Sequence, residues 1–144
     1  MIEITRESTI AMAHRLFQYD GQCERLHGHN YRILVTVTSD GLNDLGMVAD
    51  FADIKRVLFG GLDAEWDHRT ILFENDPLCA SLLALLDDGS IRPVPFNPTA
   101  ENMAAHLGTV LFPAFLEKAG MKGVTVSRVV VYETEKSAAT WRRD

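Results

Sequence analysis

From His27 to Thr38 hydrophobic and polar positions alternate: Ile33, Val35 and Val37 fall on one face, and Arg32, Leu34, Thr36 and Thr38 on the other. A period of two predicts a half-buried β-strand. Residues 2–13 predict a strand of mostly small and polar side chains that ends at Ala13-His14-Arg15, and Asp20-Gly21 marks a turn within the polar stretch Phe17–Glu24. Ser39–Gly46 reads as a connection, and Met47–Ala49 as a short strand. The period then changes. Phe51, Ile54, Val57 and Leu58 stand at helical spacing behind Asp50, a capping residue, and Gly60-Gly61 predicts the end of that helix near Phe59. Asp76-Pro77 opens a shorter helix carrying Leu78, Leu82 and Leu85, and Pro93–Pro98 is extended. Thr99 caps a long helix lined by Met103, Leu107, Val110 and Leu111, which Pro113 is expected to kink or interrupt. Val124–Glu133 is a β-branched strand, and Ala138–Arg142 a short final one.

Strands grouped before and after the helices predict an α+β fold, with an antiparallel four-stranded sheet and two main helices on one face. No repeat, low-complexity tract or linker divides the chain, so residues 1–144 are expected to form a single domain. The open edges of such a sheet invite pairing between subunits.

Composition narrows the class. With 47% hydrophobic and 24% charged residues the chain reads as an ordinary soluble protein. A net charge of -6 argues against general binding to nucleic acid or an acidic membrane, while leaving room for a local basic pocket. Met1-Ile2-Glu3-Ile4 does not begin an export signal, and Val129–Val131 and Leu82–Leu86 are far too short to cross a bilayer. Cys23 and Cys79 therefore read as thiols in a reducing, cytoplasmic compartment.

The chemistry concentrates in Cys23-Glu24-Arg25-Leu26-His27-Gly28-His29. Strand alternation points His27 and His29 to one side, Gly28 relieves crowding between them, and His14 at the end of the preceding strand can supply a third nitrogen. Three nitrogens with one open position suit a catalytic zinc ion. Cys23 is either a fourth ligand, closing the site, or a free thiol beside it that the metal makes a usable base. Cys79, among leucines, reads as core, and His106 in the long helix as structural. Asp67-His68 is a carboxylate–imidazole pair that could share a proton. Glu133, at the end of an apolar strand, calls either for a ligand with two adjacent N–H donors or for solvent.

Six segments in order, Ala13-His14-Arg15-Leu16, Cys23-x-x-x-His27-Gly28-His29-Asn30, Met47-Val48-Ala49-Asp50-Phe51, Asp67-His68, Pro98-Thr99-Ala100-Glu101-Asn102 and Glu133-Thr134, resemble the 6-pyruvoyltetrahydropterin synthase / 6-carboxytetrahydropterin synthase family. The resemblance implies a tunnelling fold whose subunits join into trimeric barrels, commonly stacked as hexamers with active sites at subunit interfaces. It implies zinc on His14, His27 and His29, with Cys23 as catalytic base. Asp67 and His68 would be its relay pair, Glu133 the pterin anchor, and Thr99 and Glu101 further pterin contacts. The implied substrate is 7,8-dihydroneopterin triphosphate, with Arg15, Arg25, Arg32, Arg69 and Lys136 as candidate phosphate partners. Two departures stand out: Trp66 replaces the leucine more usual before Asp67, and Arg69–Asn97 is longer than in the shortest bacterial members.

Within the family one branch makes 6-pyruvoyltetrahydropterin, and the other also releases acetaldehyde and makes 6-carboxytetrahydropterin for queuosine. The compact Phe17–Cys23 loop and the Pro98–Asn102 segment favour the second. A zinc- or pterin-binding module without turnover and a structural zinc protein are the readings from other classes.

Overall fold

The computed structural model describes residues 1–144. Strands β1 (Glu3–His14) and β2 (His27–Ser39) form a long antiparallel pair running in register from Glu3↔Thr38 to His14↔His27. Ile33, Val35 and Val37 are fully buried, as the period-two pattern requires, and Tyr31 joins them. β5 (Val124–Thr134) pairs with the other edge of β2, and β6 (Ser137–Arg142) with β5, both antiparallel. This is the predicted four-stranded block, but it is not the whole sheet.

Two further strands, β3 (Arg69–Phe73) and β4 (Ile91–Val94), extend it beyond β1 in parallel, giving the order β4-β3-β1-β2-β5-β6. The sheet is therefore mixed and six-stranded, not antiparallel and four-stranded. The extra strands come from the segment Arg69–Asn97 that the sequence marked as long. They were hard to read because each is short and β4 contains Pro93, which cannot donate to a ladder; β4 tolerates it as the outermost strand. Helix α2 (Pro77–Leu85) provides the crossover that a parallel pair needs.

Helix α1 spans residues 51–66, as α over Phe51–Ile54, π over Lys55–Phe59 and α again over Gly60–Trp66. Its cap is the expected one, since Asp50 accepts from Ala52 N at 2.7 Å. Its end is not. Gly60 is helical (φ -61°, ψ -40°), and a Cβ on Gly61 would lie 2.7 Å from the Phe115 ring, so Gly61 admits a packing partner and neither glycine stops the helix. Helix α3 spans residues 100–118, with Thr99 Oγ1 accepting from Asn102 N at 3.1 Å. Pro113 does not interrupt it, because a π turn over Leu107–Leu111 absorbs the proline. That turn adds a residue to the repeat. The buried line runs Met103, Leu107, Phe112, Leu116, leaving Val110 half-exposed. Met47–Ala49 is not a strand: Asn43 Oδ1 accepts from both Leu45 N and Met47 N at 3.0 Å and closes the connection on itself.

α1 and α3 cover one face of the sheet and enclose its main core with Ile10, Met12, Val126, Val129 and Val131. His106 belongs to this packing, stacked on Trp66 at an interplanar angle of 9° and against Phe96, as the structural reading expected. Ile71 faces the main core while Leu72 packs with Cys79, Ile91, Leu78 and Leu82, so α2 covers the opposite face of the β3–β4 margin. Cys79 is the core residue it was expected to be, 2% exposed.

Candidate metal centre and active site

The β1–β2 register delivers the histidines. His14 lies opposite His27, and His29 opposite Met12, all at the end of the pair nearest α3. His14 Nδ1 lies 2.8 Å from the Pro98 carbonyl oxygen and His27 Nδ1 lies 2.6 Å from that of Arg25. A carbonyl only accepts, so both rings carry their proton on Nδ1 and turn a lone pair out from Nε2. Those two Nε2 atoms stand 3.2 Å apart. Two acceptors meeting with no proton between them call for a cation, and two ligands about 2.0–2.1 Å from a tetrahedral ion are separated by about this much. His29 Nε2 is buried without a hydrogen-bond partner, 3.4 Å from Glu133 Oε1. Donor atoms of His14, His27, His29 and Glu133 all lie within 4.8 Å of one another, so the residues present fit a metal ion. The carbonyl partners orient the rings as outer partners of metal ligands do.

Burial favours the neutral, lone-pair form of His14 and His29. Burial pulls the His14 pKa down; the Pro98 bond and the Glu133 charge oppose this, and the neighbouring imidazoles add to it. His29 is lowered in the same way, by burial first. Gly28 is needed where expected: a Cβ there would lie 3.2 Å from the Met12 carbonyl oxygen. Tyr31 was not singled out from the sequence, because it falls in the apolar phase of β2. It is fully buried, with its hydroxyl 3.1 Å from His14 Nε2. Burial, then the Glu133 and Cys23 charges, push its phenol far up, so it stays a hydroxyl at the floor of the site.

Cys23 is a half-buried free thiol in a single 3₁₀ turn, Gln22–Glu24. It lies near enough for its charge to bear on Tyr31, yet it is not among the converging donors. Asp67 and His68 do meet, although adjacent residues seldom do. His68 adopts a left-handed backbone (φ 57°), and its Nδ1 donates to Asp67 Oδ2 at 2.8 Å. Asp67 Oδ1 accepts from Ala11 N at 3.0 Å, and His68 N donates to Ala11 O at 2.7 Å, which pins the pair to the β3 side of β1. Burial opposes ionisation of Asp67, but the bonds from His68 and Ala11 outweigh it and hold the carboxyl below its usual range. The His68 side chain is 81% exposed, and neither it nor Asp67 is among the donors that converge with His14, His27, His29 and Glu133. Within one chain the pair does not join the histidine cluster.

Glu133 also borders a cavity of about 220 Å³ that it shares with Glu101, Ala100 and the start of β6, and His29 borders another of about 270 Å³ with Gly28 and Asn30. Thr99 spends its hydroxyl on the α3 cap. Three of the candidate phosphate partners are engaged: Arg15 with Asp76, Arg32 with Glu7 and the Tyr132 ring, and Arg69 with the Ala64 and Gly89 carbonyls. Arg25, just before His27, and Lys136, just after Glu133, are exposed and their side chains make no ion pair.

This geometry has relatives. Residues 3–144 match the family model described as 6-pyruvoyl tetrahydropterin synthase. The chain is 32% identical to 6-carboxy-5,6,7,8-tetrahydropterin synthase of Rickettsia bellii over 134 residues, 93% of this chain and 95% of that one. It is 40% identical to the Aquifex aeolicus protein of the same name over 127 residues, 85% of this chain and 77% of that one. The crystal structure of an uncharacterised Wolinella succinogenes protein superposes with a TM-score of 0.80 at 27% identity, covering 99% of this chain and 98% of that one. The fold is also that of solved 6-pyruvoyl tetrahydropterin synthases, the tunnelling fold. On its sequence, its sheet and its histidine cluster, this chain belongs to the 6-pyruvoyl tetrahydropterin synthase family.

Proposed function

We propose that this protein is a zinc-dependent lyase, a 6-carboxy-5,6,7,8-tetrahydropterin synthase. It converts 7,8-dihydroneopterin triphosphate with loss of triphosphate and acetaldehyde. The observation that carries the reading is the convergence of three imidazole Nε2 atoms, two of them aimed by carbonyl partners. The names of its relatives select the product.

His14, His27 and His29 hold the metal, which when bound acts as a Lewis acid on the substrate's side-chain hydroxyls. Cys23 lies outside the donor ring, which supports a base over a fourth ligand. Its thiolate takes a proton from the substrate side chain, and His68, oriented by Asp67, carries another. Glu133 accepts from the pterin amine and ring N–H and so fixes which carbon faces the base, with Glu101 and Thr99 beside it. Arg25 and Lys136, free of other partners, take the triphosphate.

The exposure of His68 and its absence from the converging donors support assembly. A second chain presents its Asp67–His68 pair to the metal site, so the working form is a homo-oligomer, trimer or hexamer. No helix is long and apolar enough to cross a membrane, in keeping with a cytoplasmic enzyme.

The test is product analysis with zinc-loaded protein and 7,8-dihydroneopterin triphosphate. Acetaldehyde together with 6-carboxytetrahydropterin is the expected result. A pyruvoyl product without acetaldehyde would move the chain to the other branch of the family, with the site assignments intact. No turnover from a zinc-loaded oligomer would leave a binding module.

A further inference from the structure

The loop that joins β1 to β2 and carries Cys23 has little structure of its own, one 3₁₀ turn in residues 15–26. It is held from outside. Leu16 N donates to the Cys23 carbonyl at 2.8 Å and closes the loop at its neck. Beside that bond, Phe17 N donates to Asn97 Oδ1 at 2.8 Å, and Asn97 Nδ2 donates back to the Phe17 carbonyl at 3.0 Å. One side-chain amide thus satisfies both backbone groups of Phe17, as a neighbouring strand would. Asn97 is itself fixed, since Asn102 Nδ2 donates to its carbonyl at 2.9 Å.

A second anchor lies one turn of chain away. Arg15 Nε donates to Asp76 Oδ2 at 2.6 Å, and its Nη2 donates to Oδ1. The Asp76 side chain is wholly inaccessible, and its Oδ1 also caps α2 by accepting from Leu78 N at 2.9 Å. A paired carboxylate so buried is costly to disturb. Phe17 completes the contact, its ring 6.3 Å from that of Phe73. Phe73, Asp76 and Asn97 all belong to the segment Arg69–Asn97, and the next residue, Pro98, accepts from His14.

We infer that Asn97 is a positioning residue for Cys23, and that the segment Arg69–Asn97 acts as a buttress setting the thiol against the metal centre. The inference rests on the proposed role of Cys23 as base. The backbone of the metal ligands stands on the β1–β2 ladder, and the Pro98 and Arg25 carbonyls set only the angles of the His14 and His27 rings; the Cys23 loop has no ladder, and its place comes from Asn97 and Asp76.

The experiment compares Asn97→Ala and Asn97→Asp with wild type, each zinc-loaded and full length. It measures zinc content, kcat and KM separately, and the rate at which iodoacetamide alkylates Cys23, with buried Cys79 as the unreactive internal reference. Asn97→Ala is expected to keep its zinc and its KM and to lose about 100-fold in kcat, the scale of a 1 Å misplacement. The Cys23 alkylation rate should change severalfold. Asn97→Asp keeps the acceptor for Phe17 N and loses the donor, so its kcat should fall between the two; it also serves if the alanine variant does not fold. Unchanged kcat and alkylation rate, or a kcat that falls only in proportion to lost zinc, would overturn the inference. Cys23→Ala run alongside separates the two ideas. If it still turns over, the base assignment fails, and the clamp is then judged on the alkylation rate alone.

Discussion

The two halves of the active site are held in different ways. His14, His27 and His29 ride on two long strands whose register runs unbroken from Glu3↔Thr38 to His14↔His27, so the spacing of the nitrogens is a property of a hydrogen-bonded ladder. Cys23 sits a few residues away on a loop that borrows its order from Phe73, Asp76 and Asn97. The cluster proposed to hold an ion, which needs its donors placed within tenths of an ångström, draws on regular structure. The proposed base is carried instead on a loop that side-chain clamps adjust.

The sharpest way to break the comparison is at the ladder. His29→Ala removes the nitrogen with no other partner, and zinc affinity should fall by more than the roughly 10–100-fold that losing an outer partner costs. The sheet should stay folded. Competition with a chromogenic chelator measures it, and unchanged affinity would place the metal elsewhere. On the loop side, Cys23→Ala should lower kcat by about 10²–10⁴-fold with full zinc occupancy. Loss of the metal instead would make Cys23 a ligand and bring both halves under one constraint.

The smallest effect is on pH dependence. His14 and His29 both titrate below the ordinary 6.5 in the folded chain, mainly because they are buried. Below 6.5 the unfolded chain therefore binds protons that the folded chain refuses, and metal-free protein loses stability as the pH falls from 6.5 toward the depressed values. Above 6.5 this contribution is complete and flat. Melting of chelator-treated protein between about pH 8 and pH 5 reads it, and a melting temperature that rises on acidification would contradict it.

Much of this is legible in the sequence. Alternation in β2 gave the buried face, and the His-Gly-His triplet with His14 gave the cluster, because a strand's period of two is a local property of the backbone. Asp50 and Thr99 announced their helices through capping chemistry that is likewise local. Other features depended on what lies across the fold. Gly60-Gly61 reads locally as a stop, but Phe115 packing against Gly61 supplies the reason for the missing side chain there, and Pro113 reads as a break that the π turn before it absorbs.

The sequence by itself determined the ladder, the ligand types on it and the family, since each depends on residue identity at short spacing. Only the tertiary structure decided that the sheet has six strands, with β3 and β4 parallel at its margin. It also turned the Tyr31 hydroxyl against His14, committed Arg15 to Asp76, and tied the Cys23 loop to Asn97 across 80 residues. Contacts between segments so far apart leave no periodic trace in either one, because each partner satisfies a need that arises only when the chain has closed.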